Sequence, residues 1–266
     1  MIELLSPAGS LECLHAAVES GADAVYFGLS QPHNFNARGR AENIPLEKLG
    51  DTMNFLHRRG VKGYLTLNTL VHCDELPAVE SLLREVIAAE IDAVIIQDIG
   101  VAVLAHRLCP ELPLHASTQM SLTSALAITH AAELGIRRVI LPRELSIRQI
   151  AQLRKTSNVE LECFIHGALC ISYSGQCYAS LGLGKGKRSA NRGTCAQPCR
   201  LPYSIKQSGT YRMPILSPHD FAALPVLPKL IAVGIYAFKI EGRLKPPEYV
   251  AEVTKVYREA LDKVFT

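Results

Sequence analysis

Four cysteines lie close together in the 266-residue chain: Cys170, Cys177, Cys195 and Cys199, spaced C-x6-C-x17-C-x3-C among glycines and basic residues. Four thiolates complete either a cubane iron–sulfur cluster or a tetrahedral zinc site. Structural zinc favours two tight knuckles of about two to four intervening residues each. Only the Cys195–Cys199 pair fits that pattern, so the spacing favours a 4Fe–4S cluster and leaves zinc as the lesser alternative. Gly167, Ala168, Gly175 and Gly193 would let the backbone wrap closely around a bulky group. Pro198 restricts the approach to Cys199. Cys13, Cys109 and Cys163 read as core or connector residues. Cys73, after the third apolar run, is left outside the ligand set.

Other residues could do chemistry beside that group. Lys239, Glu241 and Arg243 alternate along "FKIEGR", which puts all three on one strand face. Charges on an inward row are costly unless paired or bound to substrate. Two readings stay open: Lys239 and Arg243 clamp a small dicarboxylate, or the three residues form an internal ion-pair network. His166, four residues before Cys170, is expected to donate a proton or to support the metal site. His115 and Gln119 in "HASTQM" suit an aromatic ring or base edge. Asn68, Gln97, Asp98, Arg143 and Glu144 complete the polar residues expected at strand ends. The catalytic set is therefore His166, His115, Lys239 and Glu241, with Arg243, Arg143, Gln119 and Asn68 binding substrate. "GLGKGKRSANRG" carries Lys185, Lys187, Arg188 and Arg192 without an acid, a strip suited to RNA phosphates or to offsetting thiolate charge.

Such residues need a frame. Short apolar runs begin at Ile2, Ala24, Lys62, Ala93, Pro113, Arg138, Glu160 and Ala237, and amphipathic stretches separate most of them. This alternation is the signature of βαβ units and a parallel sheet. Eight strands, the last followed by "PPEYVAEVTKVYREALDKV", predict a (β/α)8 TIM-like barrel, an α/β fold, as one domain over 1–266. An open doubly wound sheet would want a glycine-rich turn after the first strand, and "SPAGSLE" has one glycine. The connection after the seventh strand, about 167–235, is far longer than the others and carries all four clustered thiols. It is expected to emerge at the C-terminal mouth, where barrel enzymes keep their sites.

Composition sets bounds. With 48% hydrophobic residues the chain can fill a core, and a net charge of +3 makes any nucleic-acid footprint local. No basic segment followed by an apolar run opens the chain, and no run approaches the roughly 20 apolar residues that cross a bilayer. A cytoplasmic protein is the expectation, and there eight cysteines suggest metal or catalysis rather than a disulfide framework.

The segment from Glu162 to Ser180 resembles the signature of the collagenase-like U-32 peptidase family, E-x-F-x-x-G-[SA]-[LIVM]-C-x4-G-x-C-x-[LIVM]-S. It is carried by Glu162, Phe164, Gly167, Ala168, Leu169, Cys170, Gly175, Cys177 and Ser180, with Ala179 the one departure. The likeness extends to "LLSPAGS", "NRGTCAQPCR" and "FKIEGRLKPPEYV". The resemblance implies a 4Fe–4S protein that hydroxylates a base in ribosomal or transfer RNA, with prephenate or a related metabolite as co-substrate. The "CAQPC" pair and "LSPHDF" place it nearest the ribosomal RNA cytidine hydroxylase branch. Some relatives take a fourth ligand from a Cys in the segment corresponding to "SPHDF". Phe221 stands there in this chain, so Cys199 completes the set. Relatives acting on large RNAs usually carry domains after the barrel. The alternatives are the peptidase of the family's label and a non-catalytic 4Fe–4S partner subunit. The sequence has neither HExxH nor GxSxG to support the first.

Overall fold

In the computed structural model, residues 2–31, 33–204 and 213–265 are described. Eight strands form a closed parallel barrel: β1 (Glu3–Ala8), β2 (Ala24–Phe27), β3 (Lys62–Leu67), β4 (Ala93–Ile96), β5 (Leu114–Ala116), β6 (Ile136–Ile140), β7 (Glu160–Ala168) and β8 (Ala237–Ile240). Each pairs with its sequence neighbours, and β8 returns to β1 through Glu3↔Ala237, Leu4↔Phe238 and Leu5↔Lys239. The helices are α1 (Leu11–Glu19), α2 (Leu49–His57), α3 (Leu76–Ala88), α4 (Ile99–Leu108), α5 (Ala125–Glu133), α6 (Ile147–Thr156), α7 (Leu227–Val233) and α8 (Pro247–Phe265). Ser10, Asp98, Ser124 and Ser146 start α1, α4, α5 and α6, each side chain accepting a backbone N–H of the first turn.

Period-two alternation divides each strand between two cores. Outward residues such as Leu4, Val25, Leu65, Val94 and Phe238 pack against the helices. Inward residues Leu5, Ala24, Tyr26, Tyr64, Ala93, Ile95 and Ile140 fill the barrel with Phe164 against them. The register shifts at two places: between β5 and β6, where Leu114 pairs with Ile136 but His115 with Arg138, and between β7 and β8. Lys239 pairs with Phe164 but Ile240 pairs with His166, so β7 carries a bulge beside Ile165. A bulge re-aims the side chains beyond it.

Among the described residues, the insertion between β7 and α7 contains a short α-helix, Ala179–Leu183, 3-10 turns at Ala190–Arg192, Pro198–Arg200 and Leu224–Val226, and a strand, Asp220–Ala222, that pairs antiparallel with the end of β7. Residues 205–212 of the expected insertion lie outside the described residues.

Candidate active site at the mouth of the barrel

Beneath the mouth the barrel interior is ionic. Arg138 on β6 is buried among three carboxylates: it contacts Glu3, reaches Glu160 at 2.9 Å and Glu162 at 3.2 Å. Lys239 Nζ lies 3.0 Å from the other oxygen of Glu162, and Tyr64 donates to Glu3 at 2.8 Å. Lys62 caps Glu3 at 3.3 Å from the bottom of the barrel. Three acids meet three bases, so the floor is neutral as a unit and tolerates burial.

Above it opens a pocket with a cavity volume of about 70 Å³. Its walls are two rings, Tyr26 and Phe164, and its charge comes from Arg38, Arg143, Arg243 and Glu241. The Tyr26 hydroxyl donates to the Ile240 carbonyl at 2.8 Å, which fixes its ring. Lys239 Nζ sits 4.0 Å from the Tyr26 centroid, and the Arg143 guanidinium stacks 3.8 Å from that of Phe164. Arg243 donates to Thr66 Oγ1 at 2.7 Å and to Asn36 Oδ1 at 3.3 Å, both neutral partners. Arg38 takes Glu241 at 3.3 Å. Three guanidiniums thus face one carboxylate, since Lys239 is matched by Glu162. Burial pulls Arg243 down to about 10 and lowers Arg143 as well, while the nearby Glu241 charge opposes the shift in both. Gln119 also lines the pocket, and its Oε1 is buried without a partner.

Arg38 and Asn36, which the sequence reading missed, come from the long loop after β2. Asn68 at the end of β3 holds that loop by accepting the Ala37 N–H at 2.9 Å. No motif marks the loop, and only its length between β2 and α2 could have drawn notice.

The insertion is strapped across the mouth. Arg192 grips Glu75 with two bonds of 2.6 Å and also donates to the Leu70 carbonyl at 2.7 Å. Glu144 accepts from Ser174 N and Oγ, both at 3.0 Å, and Ser121 donates to the Ser174 carbonyl. Gly175 has φ +76°, and a Cβ there would stand 2.1 Å from the Gln119 carbonyl, so only glycine permits this approach. At Gly193, with φ +73°, a Cβ would likewise stand 2.3 Å from the Asn36 carbonyl.

All four clustered cysteines are free thiols; Cys170 is exposed and the other three half-buried. Burial pushes the Cys199 thiol up, and the charges of Cys170, Cys195 and Cys177 push the same way, so the four share one electrostatic neighbourhood. Among the described residues they do not close into a single-ion site. A zinc ion with bonds of ~2.3 Å needs its thiolates nearly in contact, whereas a multi-iron cluster holds them further apart. Cys195 Sγ accepts the Gln197 N–H at 3.4 Å and meets Ser180 Oγ at 3.9 Å, the sort of sulfur hydrogen bonding that tunes cluster thiolates. Four free thiols with a hydrogen-bond donor at Cys195 form a donor set that either a 4Fe–4S cluster or a zinc ion could take.

The expected residues divide. Lys239, Glu241, Arg243, Arg143, Gln119 and Asn68 all line the pocket. Lys239 and Glu241 do not pair with each other, because Glu162 and Arg38 take them. His166 is not at the mouth: the β7 bulge turns it outward, where its Nδ1 lies 3.3 Å from Tyr257 Oη against α8. His115 is inward but sealed 4% exposed below the pocket, edge-on to Tyr64 at 4.9 Å, and burial with the Arg138 charge holds it neutral. Asp98 caps α4 and Gln97 is buried beside it. In the basic strip Lys185 and Lys187 are exposed, but Arg192 is spent on Glu75 and Arg188 on the carbonyls of Thr194 and Cys195 at 3.0 and 3.2 Å.

A closed eightfold barrel with a polar pocket at the C-terminal mouth and a thiol-bearing strap over it has the architecture of barrel enzymes. The chain belongs to peptidase family U32, whose model matches residues 9–266. A 23S rRNA 5-hydroxycytidine synthase of Escherichia coli is 40% identical over 99% of this chain and 40% of its own length. The tRNA hydroxylation protein P1 of Bacillus subtilis is 37% identical over 98% and 63%. A collagenase of Porphyromonas gingivalis is 35% identical over 98% and 65%. The chain therefore spans from 40% to 65% of the length of these relatives. A solved structure of a U32 peptidase superposes with a TM-score of 0.59 at 13% identity, covering 92% of this chain and 95% of that one, a likeness of fold. No helix among the described residues is long and apolar enough to cross a membrane.

Proposed function

We propose that this chain is the barrel of an iron–sulfur-dependent RNA base hydroxylase that acts on ribosomal or transfer RNA with a prephenate-like dicarboxylate as co-substrate. The observation that carries the reading is the meeting of two sites at one residue: Arg143 lines the anion pocket and lies within the field of Cys170. Cys170, Cys177, Cys195 and Cys199 would hold the cluster, which supplies one-electron chemistry when bound. The surplus of two guanidiniums over Glu241 matches a doubly charged anion, and arginine binds carboxylates bidentately. Tyr26 and Phe164 offer faces to an unsaturated ring between those charges.

RNA is supported by the relatives named as rRNA and tRNA hydroxylation proteins. From Gly167 to His219 the sequence has no acidic residue. On that stretch Lys185 and Lys187 stand free to meet phosphates, and Tyr173 and Tyr178 are exposed as stacking faces. A peptidase needs an activated nucleophile beside a base. Here His166 is engaged by Tyr257 and His115 is sealed inside the barrel, which weighs against that reading.

The test has two parts. Anaerobically purified protein should contain iron and sulfide, and ribosomal or transfer RNA from cells lacking the gene should lose one hydroxylated nucleoside. An unchanged nucleoside profile would remove the RNA assignment, and a cluster with no such loss would favour a non-catalytic 4Fe–4S subunit.

A further inference from the structure

Lys239 is the lysine among the residues that line the mouth pocket. Its side chain is 3% exposed, yet it lines the mouth pocket rather than the sealed interior. Nζ lies 4.0 Å from the Tyr26 centroid and 5.7 Å from that of Phe164. The same two rings carry Arg243, at 5.8 Å, and Arg143, at 3.8 Å. An amine is therefore flanked by two guanidiniums across a pair of aromatic faces. Arginine stays protonated in proteins, whereas a buried lysine gives up its proton readily and becomes a nucleophile. Burial draws Lys239 down to about 8, against the opposing pull of Glu162, and Arg243 and Arg138 add to the fall. Glu162 Oε1, 3.0 Å from Nζ and itself wholly buried, is placed to take and return a proton.

We propose that Lys239 captures an aromatic or unsaturated-ring 2-oxo acid in this pocket as a covalent imine, with Glu162 moving the proton and Arg143 and Arg243 holding the carboxylate. The proposal rests on the reading that the pocket takes a small carboxylate metabolite, and it adds a carbonyl beside the carboxylate as the recognised group. The neutral amine attacks the C2 carbonyl carbon; a C–N bond forms and the carbonyl π bond breaks, its oxygen taking a proton. The hydroxyl then leaves as water while nitrogen loses its remaining proton through Glu162. One amine and one ketone become one imine and one water, with no oxidant or reductant consumed. The bond fixes the ring of the ligand beneath the thiol-bearing strap.

Phenylpyruvate is the probe, with cyanoborohydride to reduce any imine to a stable secondary amine. Intact-mass analysis should show one added phenylpyruvate-derived group, and peptide mapping should place it on Lys239. Phenyllactate, which has the carboxylate and ring but no carbonyl, should suppress the adduct by competition and form none itself. Lys239→Arg, which keeps the charge opposite Glu162, should abolish it; mapping in the unaltered protein decides the matter even if that variant fails to fold. Calorimetry separates the two levels of the proposal. Binding of phenylpyruvate and phenyllactate without an adduct at Lys239 overturns the imine and leaves the carboxylate pocket standing. No binding of either overturns both, and labelling scattered over surface lysines counts as no capture.

Discussion

Arg192→Ala should release the strap that carries Cys195 and Cys199. In the intact protein Arg192 makes two bonds of 2.6 Å to Glu75 and one of 2.7 Å to the Leu70 carbonyl. The Arg192 guanidinium is also the chief reason that the Glu75 carboxyl sits at about 2 rather than 4.5. At roughly 1.4 kcal/mol per pH unit that shift would correspond to about 3 kcal/mol. Solvent screens the pair, whose side chains remain 29% and 17% exposed, so ~1–2 kcal/mol is the expected net effect. Amide exchange read by mass spectrometry over 189–196 should therefore run about tenfold faster in the variant, while peptides from β1 and β8 stay unchanged. The pH dependence has a fixed sign. The Glu75 value is depressed in the fold, so its contribution is complete above about pH 4.5 and is lost as pH falls towards 2. The difference between variant and parent should shrink over that window. Equal exchange over 189–196 at neutral pH would refute the clamp.

Arg143→Met should weaken binding of a prephenate-like dicarboxylate about 10- to 100-fold by calorimetry, since a charge-assisted bond is worth ~1.5–3 kcal/mol; unchanged affinity would move the anion elsewhere. Arg138→Met removes the buried cation that Glu3 and Glu162 share, leaving them only Lys62 and Lys239, and should cost ~3–5 kcal/mol in urea unfolding. A loss under ~1 kcal/mol would mean that the interior charges are not coupled in this way. Replacing Lys185 and Lys187 together by Ala should lower the slope of log K against log salt for single-stranded RNA by roughly 1.4 and leave dicarboxylate binding intact; an unaltered slope would place the RNA on another face.

The barrel was legible because its signal is repeated. Each apolar run from Ile2 to Ala237 falls on an observed strand, with ends shifted by one to four residues, since hydrophobic alternation marks the buried middle of a strand better than its termini. The pocket was half legible. Lys239, Glu241 and Arg243 alternate on and just beyond β8 and reach it, as strand geometry requires. His166 was expected at the mouth from its place at a strand end four residues before Cys170, and the bulge at Ile165 turns it away from there. His115 obeys the pleat but sits one layer too deep, a matter of barrel stagger that no single strand records. Arg38 was invisible because it arrives on a loop, where neither period applies. Arg192 looked like a free cation in a basic strip, and its partner Glu75 lies 117 positions away in the chain.

The claim on which the rest depends is that the strap's four sulfurs bind one cluster, and iron and acid-labile sulfide analysis of the anaerobically purified chain tests it most directly. About four irons and four sulfides per chain are expected, with loss of both when Cys170, Cys177, Cys195 or Cys199 is replaced by Ala and retention when Cys73 is. Folded, anaerobically prepared protein that holds stoichiometric zinc and no iron would contradict it.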